Sequence, residues 1–228
     1  MPYISPSKVT GFSARYRWKR HHSMKRPSWK HIMRLNAKTN RAIVLARGEL
    51  GELDSTHSSV SIGTTHNVQQ LVTCQQGDSK ETREGDQIQV SSIFLKYYVE
   101  PNTTTPTDCI VRIMVVLDRQ ANGAVYSAAS LLENTGASQA VISPYNRDSN
   151  HRFHVLYDRM VTINTAGSTV KTGKFYKRFK KPLKIRYSGN VGDVTDLTSR
   201  NLTLFIISNE NTNQPVINSF CRIKYMDN

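Results

Sequence analysis

The chain has 228 residues, with 31 Lys or Arg against 17 Asp or Glu, for a formal charge of +14. That length accommodates one β domain of roughly 180 residues with a sizeable core, plus a separate arm. There is no run of about 18 apolar residues, and the N-terminus lacks the apolar stretch of a secretory signal, so neither a membrane span nor secretion is expected.

The positive charge is stored at one end. The first 47 residues hold twelve basic side chains and no carboxylate. The other 19 basic and 17 acidic residues leave 48–228 at only +2. A run of like charge repels itself and stays extended until a polyanion neutralises it. Both tryptophans, Trp18 and Trp29, lie in this arm with Tyr3, Phe12 and Tyr16. Base faces stack on aromatic rings without sequence preference while cations follow the phosphates, so the mixture suits a single strand. The arm residues expected to make this contact are Arg15, Arg17, Trp18, Lys19, Arg20, Lys25, Arg26, Trp29, Lys30, Arg34, Lys38 and Arg41. The competing reading is a solvated tail whose aromatics pack back on the body. The clusters Arg17–Lys19–Arg20 and Lys25–Arg26 also fit a nuclear import signal, which would add a host import receptor as a partner.

In chain order, residues 1–27 read as extended, interrupted by Pro2, Pro6 and Pro27. Ser28 is placed to cap a short helix through Trp29, Ile32, Met33 and Leu35, whose spacing gathers apolar groups on one side. The arm is set at 1–50 and the body at 51–228, with a hydroxyl-rich joining stretch over about 48–65. A first strand is expected at about 66–74, with pairing around Ser59–Ile62 as an option before it, and 75–86 is a polar loop. QIQVSSIFLKYYVE (87–100) is a long strand closed by Pro101, and CIVRIMVVLD (109–118) reads as a central strand buried on both faces. Residues 119–150 form an excursion in which VYSAASLLEN predicts a helix of two or three turns. A strand follows over 151–164. The stretch 170–187 predicts two strands divided by Pro182, because proline cannot donate to a central ladder. Strands at 201–208 and 216–227 complete eight. With no βαβ alternation, the expected fold is all-β: a single eight-stranded antiparallel jelly roll of two packed four-stranded sheets, with a short helix in one long loop. An immunoglobulin-like sandwich competes, but its cysteine pair and core tryptophan are missing.

A second basic cluster, Lys171, Lys174, Lys177, Arg178, Lys180, Lys181, Lys184 and Arg186, puts eight cations in sixteen residues with no acid. Alternation along a strand would place Lys174, Arg178, Lys180, Lys184 and Arg186 together opposite Phe175, Phe179, Leu183 and Ile185. Lys174, Lys177, Arg178, Lys180 and Lys181 are therefore added to the nucleic-acid-binding set. The bland alternative is a solvated face with edge lysines that discourage unwanted pairing.

Cys74, Cys109 and Cys221 are far apart with no CxxC pair, and His21, His22 and His31 have no cysteine nearby, so neither a disulfide framework nor a metal site is expected. The carboxylates are scattered, no Gly-rich phosphate loop occurs, and no nucleophile sits at a suitable turn. An enzyme is not expected, nor a cofactor. Asp118–Arg119 and Asp158–Arg159 are read as local ion pairs.

The runs GDQIQVSSIFLKYYVEP and IMVVLDRQANG after a basic, aromatic arm are similar to small viral coat proteins. LLENTGASQAVISPYNRDSNHRFHVLYDRMVTI, FYKRFKKPLKIRYSG, NLTLFIISN and the final CRIKYMD resemble coat proteins of geminiviruses and other circular Rep-encoding single-stranded DNA viruses. EGDQIQVSSIFLKYY also resembles the coat protein of satellite tobacco necrosis virus, which packages RNA. The resemblance covers roughly 66–228. It implies a jelly roll assembling as about 60 copies into a small icosahedral shell, with the arm inside on a single-stranded genome, more readily DNA than RNA. A virion location, with passage through the host nucleus for the DNA reading, follows from the same resemblance. A cellular nucleic-acid-binding β-sandwich is the alternative outside the viral class.

Overall fold

The computed structural model describes residues 28–45, 49–167 and 169–227. The chain divides into two compact units, residues 1–47 and 48–228. In the first, α1 spans Trp29–Leu45, and the His31 amide donates to Ser28 Oγ at 3.3 Å. The helix runs well past the short segment expected around Trp29–Leu35. No glycine or proline interrupts 28–47, and Ala37 and Ala42 sit among straight-chain residues that hold helical backbone. The extended reading of 1–27 lies outside the described residues.

The second unit is built from β1 (Glu49–Ser61), β2 (Asn67–Gln70), β3 (Gln87–Glu100), β4 (Cys109–Asp118), β5 (Phe153–Ile163), β6 (Lys171–Arg186), β7 (Asn201–Ser208) and β8 (Val216–Asp227). They form two four-stranded antiparallel sheets, ordered β1-β8-β3-β6 and β2-β7-β4-β5. Strand β4 pairs with β5, β3 with β6, β2 with β7 and β1 with β8. The chain is thus one long hairpin rolled across two sheets, which is the expected jelly roll.

Between the sheets lies a core with Ile88, Val90, Ile93, Leu95 and Val99 from β3, Ile217, Cys221 and Ile223 from β8, and Val111, Ile113, Val115, Leu202, Leu204 and Ile206 opposite. A second cluster covers the outside of the β4–β7 pair. There Met114, Val116, Phe205 and Ile207 pack under Tyr126, Leu131, Leu132 and Val141 of the excursion between β4 and β5. Both faces of β4 and β7 are therefore dry, which is why they read as unbroken apolar runs. All three cysteines are buried free thiols.

Four expectations are corrected. The joining stretch 48–65 contains a full strand: β1 pairs with β8 along an edge, with only Leu53 a large buried apolar side chain, so its hydroxyl-rich composition hid it. Pro182 does not divide 170–187. Strand β6 lies at the sheet edge, and its pairing skips from Arg178 opposite Ser92 to Leu183 opposite Val90, so the proline falls in a bulge where no ladder donor is required. The predicted helix in 119–150 is a four-residue α2 (Ala128–Leu131) followed by a 3-10 segment at Ala137–Ile142. The ion pairs are not between chain neighbours. Arg152 takes both oxygens of Asp118 at 2.9 and 2.7 Å, and Arg112 takes both of Asp158 at 3.0 and 2.6 Å.

Those arginines fasten the excursion. Arg112 Nη1 also donates to the carbonyls of Val141 (3.2 Å) and Ser143 (2.6 Å), and Tyr145 Oη donates to Asp158. Burial alone would raise the Asp158 carboxyl, but these hydrogen bonds and the Arg112 charge outweigh it and hold it below its ordinary value.

Register between β3 and β6 is pinned at Gly173, which lies opposite Tyr97. A Cβ there would overlap the Tyr97 ring, which is 4% exposed and whose Oη lies 2.7 Å from Tyr157 Oη. Gly173→Ala is expected to cost about 1–3 kcal/mol by overpacking, seen as an earlier urea midpoint. In a Tyr97→Leu background the same substitution should cost much less, whereas equal costs in both backgrounds would show that the ring does not set the register.

Candidate nucleic-acid interface

Strand β6 alternates. Phe175 and Phe179 pack on the core and Leu183 and Ile185 belong to it, while Lys174, Tyr176, Arg178, Lys180, Lys184 and Arg186 are exposed on the other side. Core burial thus turns a row of cations outward. Strand pairing then builds this into a face. Tyr176 stands opposite Phe94, which stands opposite Arg222; Lys174 stands opposite Lys96, which stands opposite Phe220; Arg178 stands opposite Ser92, itself opposite Lys224. Residues opposite each other in a ladder share a face, so cations and rings interleave across three strands.

The electrostatics of the face are graded. At the β1 edge, Asp54 receives both Arg222 nitrogens at 2.7 and 2.6 Å, and Glu52 receives Lys224 Nζ at 2.7 Å. The hydrogen bond from Arg222 holds the Asp54 carboxyl below its ordinary value, as that from Lys224 does for Glu52. Toward β6 the partners run out. Among the described residues no carboxylate lies within ion-pair distance of Lys96, Lys174, Arg178 or Lys180. Lys96 Nζ sits 5.8 Å from the Phe94 ring and Arg222 5.6 Å from that of Phe220.

Two hollows open on this face. One of about 990 Å³ has Lys96, Tyr98, Lys174 and Phe220 in its lining, and one of about 430 Å³ has Phe94, Tyr176, Arg178 and Arg222. Tyr176 is 63% exposed and Tyr98 42%. Exposed rings between unpaired cations are what a flexible polyanion with stackable bases requires.

Of the residues expected from sequence, Lys174, Arg178 and Lys180 come together here. Lys181 is exposed beside Pro182, and Lys177 lies on the other side of β6, half-buried and close enough to lower the His154 pKa, after burial, the larger cause. Trp29, Lys30, Arg34, Lys38 and Arg41 belong to α1, with Trp29 73% exposed. Positions 30, 34 and 38 recur at four residues, which aligns their cations along one stripe of the helix. Arg15, Arg17, Trp18, Lys19, Arg20, Lys25 and Arg26 lie outside the described residues. Sequence reasoning missed Phe94, Lys96, Tyr98 and Phe220. The first three alternate visibly in IFLKYYVE, but only the pairing of β3 with β6 and β8 shows which cations they join.

A model of the satellite tobacco necrosis virus coat protein family matches residues 15–228. The chain belongs to that family. Structures similar to this viral coat protein include Desmodium yellow mottle tymovirus, at 10% identity and a TM-score of 0.37, covering 79% of this chain and 88% of that one. The empty head of turnip yellow mosaic virus aligns at 11% identity and a TM-score of 0.38, covering 79% and 82%. No curated protein sequence matches. The coat-protein family and the all-β fold indicate a structural, non-enzymatic role. Among the described residues no helix is long and apolar enough to cross a membrane.

If the β6 face meets phosphates, replacing Lys174, Arg178 and Lys180 by Gln should weaken binding of a single-stranded oligonucleotide. The slope of log K against log salt should fall by about 2, from roughly 0.7 per lost phosphate contact. Fluorescence titrations between low and moderate salt read that slope directly. An unchanged slope would leave the arm as the whole electrostatic footprint.

Proposed function

We propose that this coat protein self-assembles into a small icosahedral shell and packages a single-stranded genome. Residues 1–50 act as the cargo-binding arm and 51–228 as the shell domain. The observation that carries the reading is the segregation of charge: twelve cations and no acid in the first 47 residues, joined to a body that carries only +2. With about 60 copies in a shell, the arms bring about 720 positive charges, enough to offset a substantial part of a genome of roughly one to three thousand nucleotides. The outer face of β6 adds unpaired cations and rings to the same task. The loops 119–150 and 188–200 supply contacts between copies.

The cargo proposed first is circular single-stranded DNA, supported by the resemblance of 131–163, 175–189, 201–209 and 221–227 to coat proteins of geminiviruses and other circular Rep-encoding single-stranded DNA viruses. On that reading the basic clusters at 17–26 serve nuclear import through host receptors. A second reading, RNA cargo, is supported by membership in the satellite virus family. Phosphate-directed cations bind either polymer, so the two readings share one binding mechanism. A cellular nucleic-acid-binding module, which would remain a monomer or dimer, is the reading that this membership displaces.

Recombinant protein, treated with nuclease and viewed by electron microscopy, is expected to show uniform particles about 20 nm across. Protected nucleic acid extracted from them should be degraded by DNase on the first reading and by RNase on the second. A soluble monomer at every salt concentration would sink the capsid proposal.

A further inference from the structure

At one end of the roll, a cleft of about 600 Å³ is bordered by the start of the excursion after β4, the end of β6 and the approach to β7. Arg119, Lys184, Arg186 and Arg200 line it, with hydroxyls from Thr198 and Ser199 and no carboxylate. Three separate stretches of chain thus converge four positive charges on one concavity. The nearest acid in sequence, Asp118, is withdrawn from it. Its carboxylate is held by Arg152 at 2.9 and 2.7 Å, and its side chain is 3% exposed.

The walls are fixed by hydrogen bonds that each engage a backbone group. The Arg186 amide donates to Ser199 Oγ at 3.0 Å, and the Thr198 amide donates to the Arg186 carbonyl at 3.0 Å. Arg200 Nη1 donates to the Lys184 carbonyl at 3.2 Å, and the Ala121 amide to the Ser199 carbonyl at 3.3 Å. Like charges gathered in a constrained concavity repel one another, and an anion relieves that repulsion. The Thr198 hydroxyl is turned to the Arg186 carbonyl at 3.3 Å, which leaves the Ser199 hydroxyl as the donor beside the guanidinium groups. Guanidinium groups match the geometry of a tetrahedral oxyanion better than a single lysine does.

We propose that this cleft binds a phosphate group, either a phosphodiester of a strand or a free polyphosphate. The strand-derived case rests on the packaging reading; the free-anion case does not. Neither Arg119 nor Arg200 belongs to the β6 face or the arm, so the cleft is separable from both by substitution.

The test is differential scanning calorimetry of cargo-free, full-length protein with inorganic tripolyphosphate, and separately with a short oligothymidylate. The compared variants are Arg119→Gln/Arg200→Gln and, as a charge-matched control, Arg147→Gln/Lys80→Gln. At about ten times the dissociation constant, a bound anion should raise the melting temperature of the body by about 3 to 5 °C. The cleft variant should lose most of that rise and the control should keep it. Loss with both probes assigns the cleft to strand phosphates, and loss with tripolyphosphate alone assigns it to a free anion. Equal rises in wild type and cleft variant overturn the site. Failure to form shells would sink the packaging reading and leave this result standing, because the rise is read on the body and not on the particle. Arg119→Glu, which touches no hydrogen bond of the walls, repeats the test should the double variant fold poorly.

Discussion

Everything on the exposed face of the β1-β8-β3-β6 sheet depends on the register of β6 against β3. A strand has a period of two, so a slip of one residue would send Phe175, Phe179, Leu183 and Ile185 into water and the alternating cations into the core. Burying even one unpaired lysine costs several kcal/mol, so the correct register is held by the core and not by the cations. Gly173 sharpens that choice, because it is the position that leaves room for the Tyr97 ring. The bulge around Pro182 absorbs extra residues without disturbing the alternation on either side. The cationic face is thus a by-product of apolar burial.

The two sheets treat their outer faces in opposite ways. Outside β4 and β7, the excursion supplies Tyr126, Leu131, Leu132 and Val141 as a lid, and Tyr126 Oη meets Thr203 Oγ1 at 2.8 Å beneath it. Arg112 locks the lid through two carbonyls and a carboxylate. Outside β3 and β6 no element of the second unit lies over the rings of Phe94, Tyr98 and Tyr176, which remain partly or largely open to solvent. A half-covered ring beside an unpaired ammonium is a poor choice for stability alone. It is a useful one for meeting a polyanion, because the cation loses little by exchanging water for phosphate.

How much of this was legible depended on what each strand packs against. Strands β4 and β7, dry on both faces, announced themselves as apolar runs, and β8 and β3 as alternation. Strand β1 did not, because its partner β8 satisfies its backbone while Ser55, Thr56 and His57 occupy positions that a propensity reading assigns to a loop. Proline 182 misled for the converse reason: the rule against it holds for central ladders, and edge position is a property of the whole topology. The cations of β6 were readable from sequence, and their common side was predicted except for Lys177 and Lys181, included in the binding set on charge alone. Their neighbours Lys96 and Phe220 were not, since opposition across β3 and β8 joins residues more than a hundred positions apart.

The arginines make the same point from inside. Arg83, from the loop read only as polar, is fully buried; Nε donates to the Cys74 carbonyl at 3.2 Å, and the guanidinium also donates to the carbonyls of Gly85 and Gly189 and stacks 4.4 Å from the Tyr187 ring. It ties the 75–86 loop to the start of the 188–200 loop by backbone acceptors and a ring, and it lies 3.8 Å from the Asp86 carboxylate. Arg112 and Arg152 meet carboxylates directly. In each case the chain supplies the acceptors that a buried guanidinium needs, because an unsatisfied one could not remain folded. Charge type alone therefore says little about role. What separates the structural cations from those proposed to meet cargo is whether the fold has already provided their acceptors, and along β6 and the cleft at its end it has largely left them open.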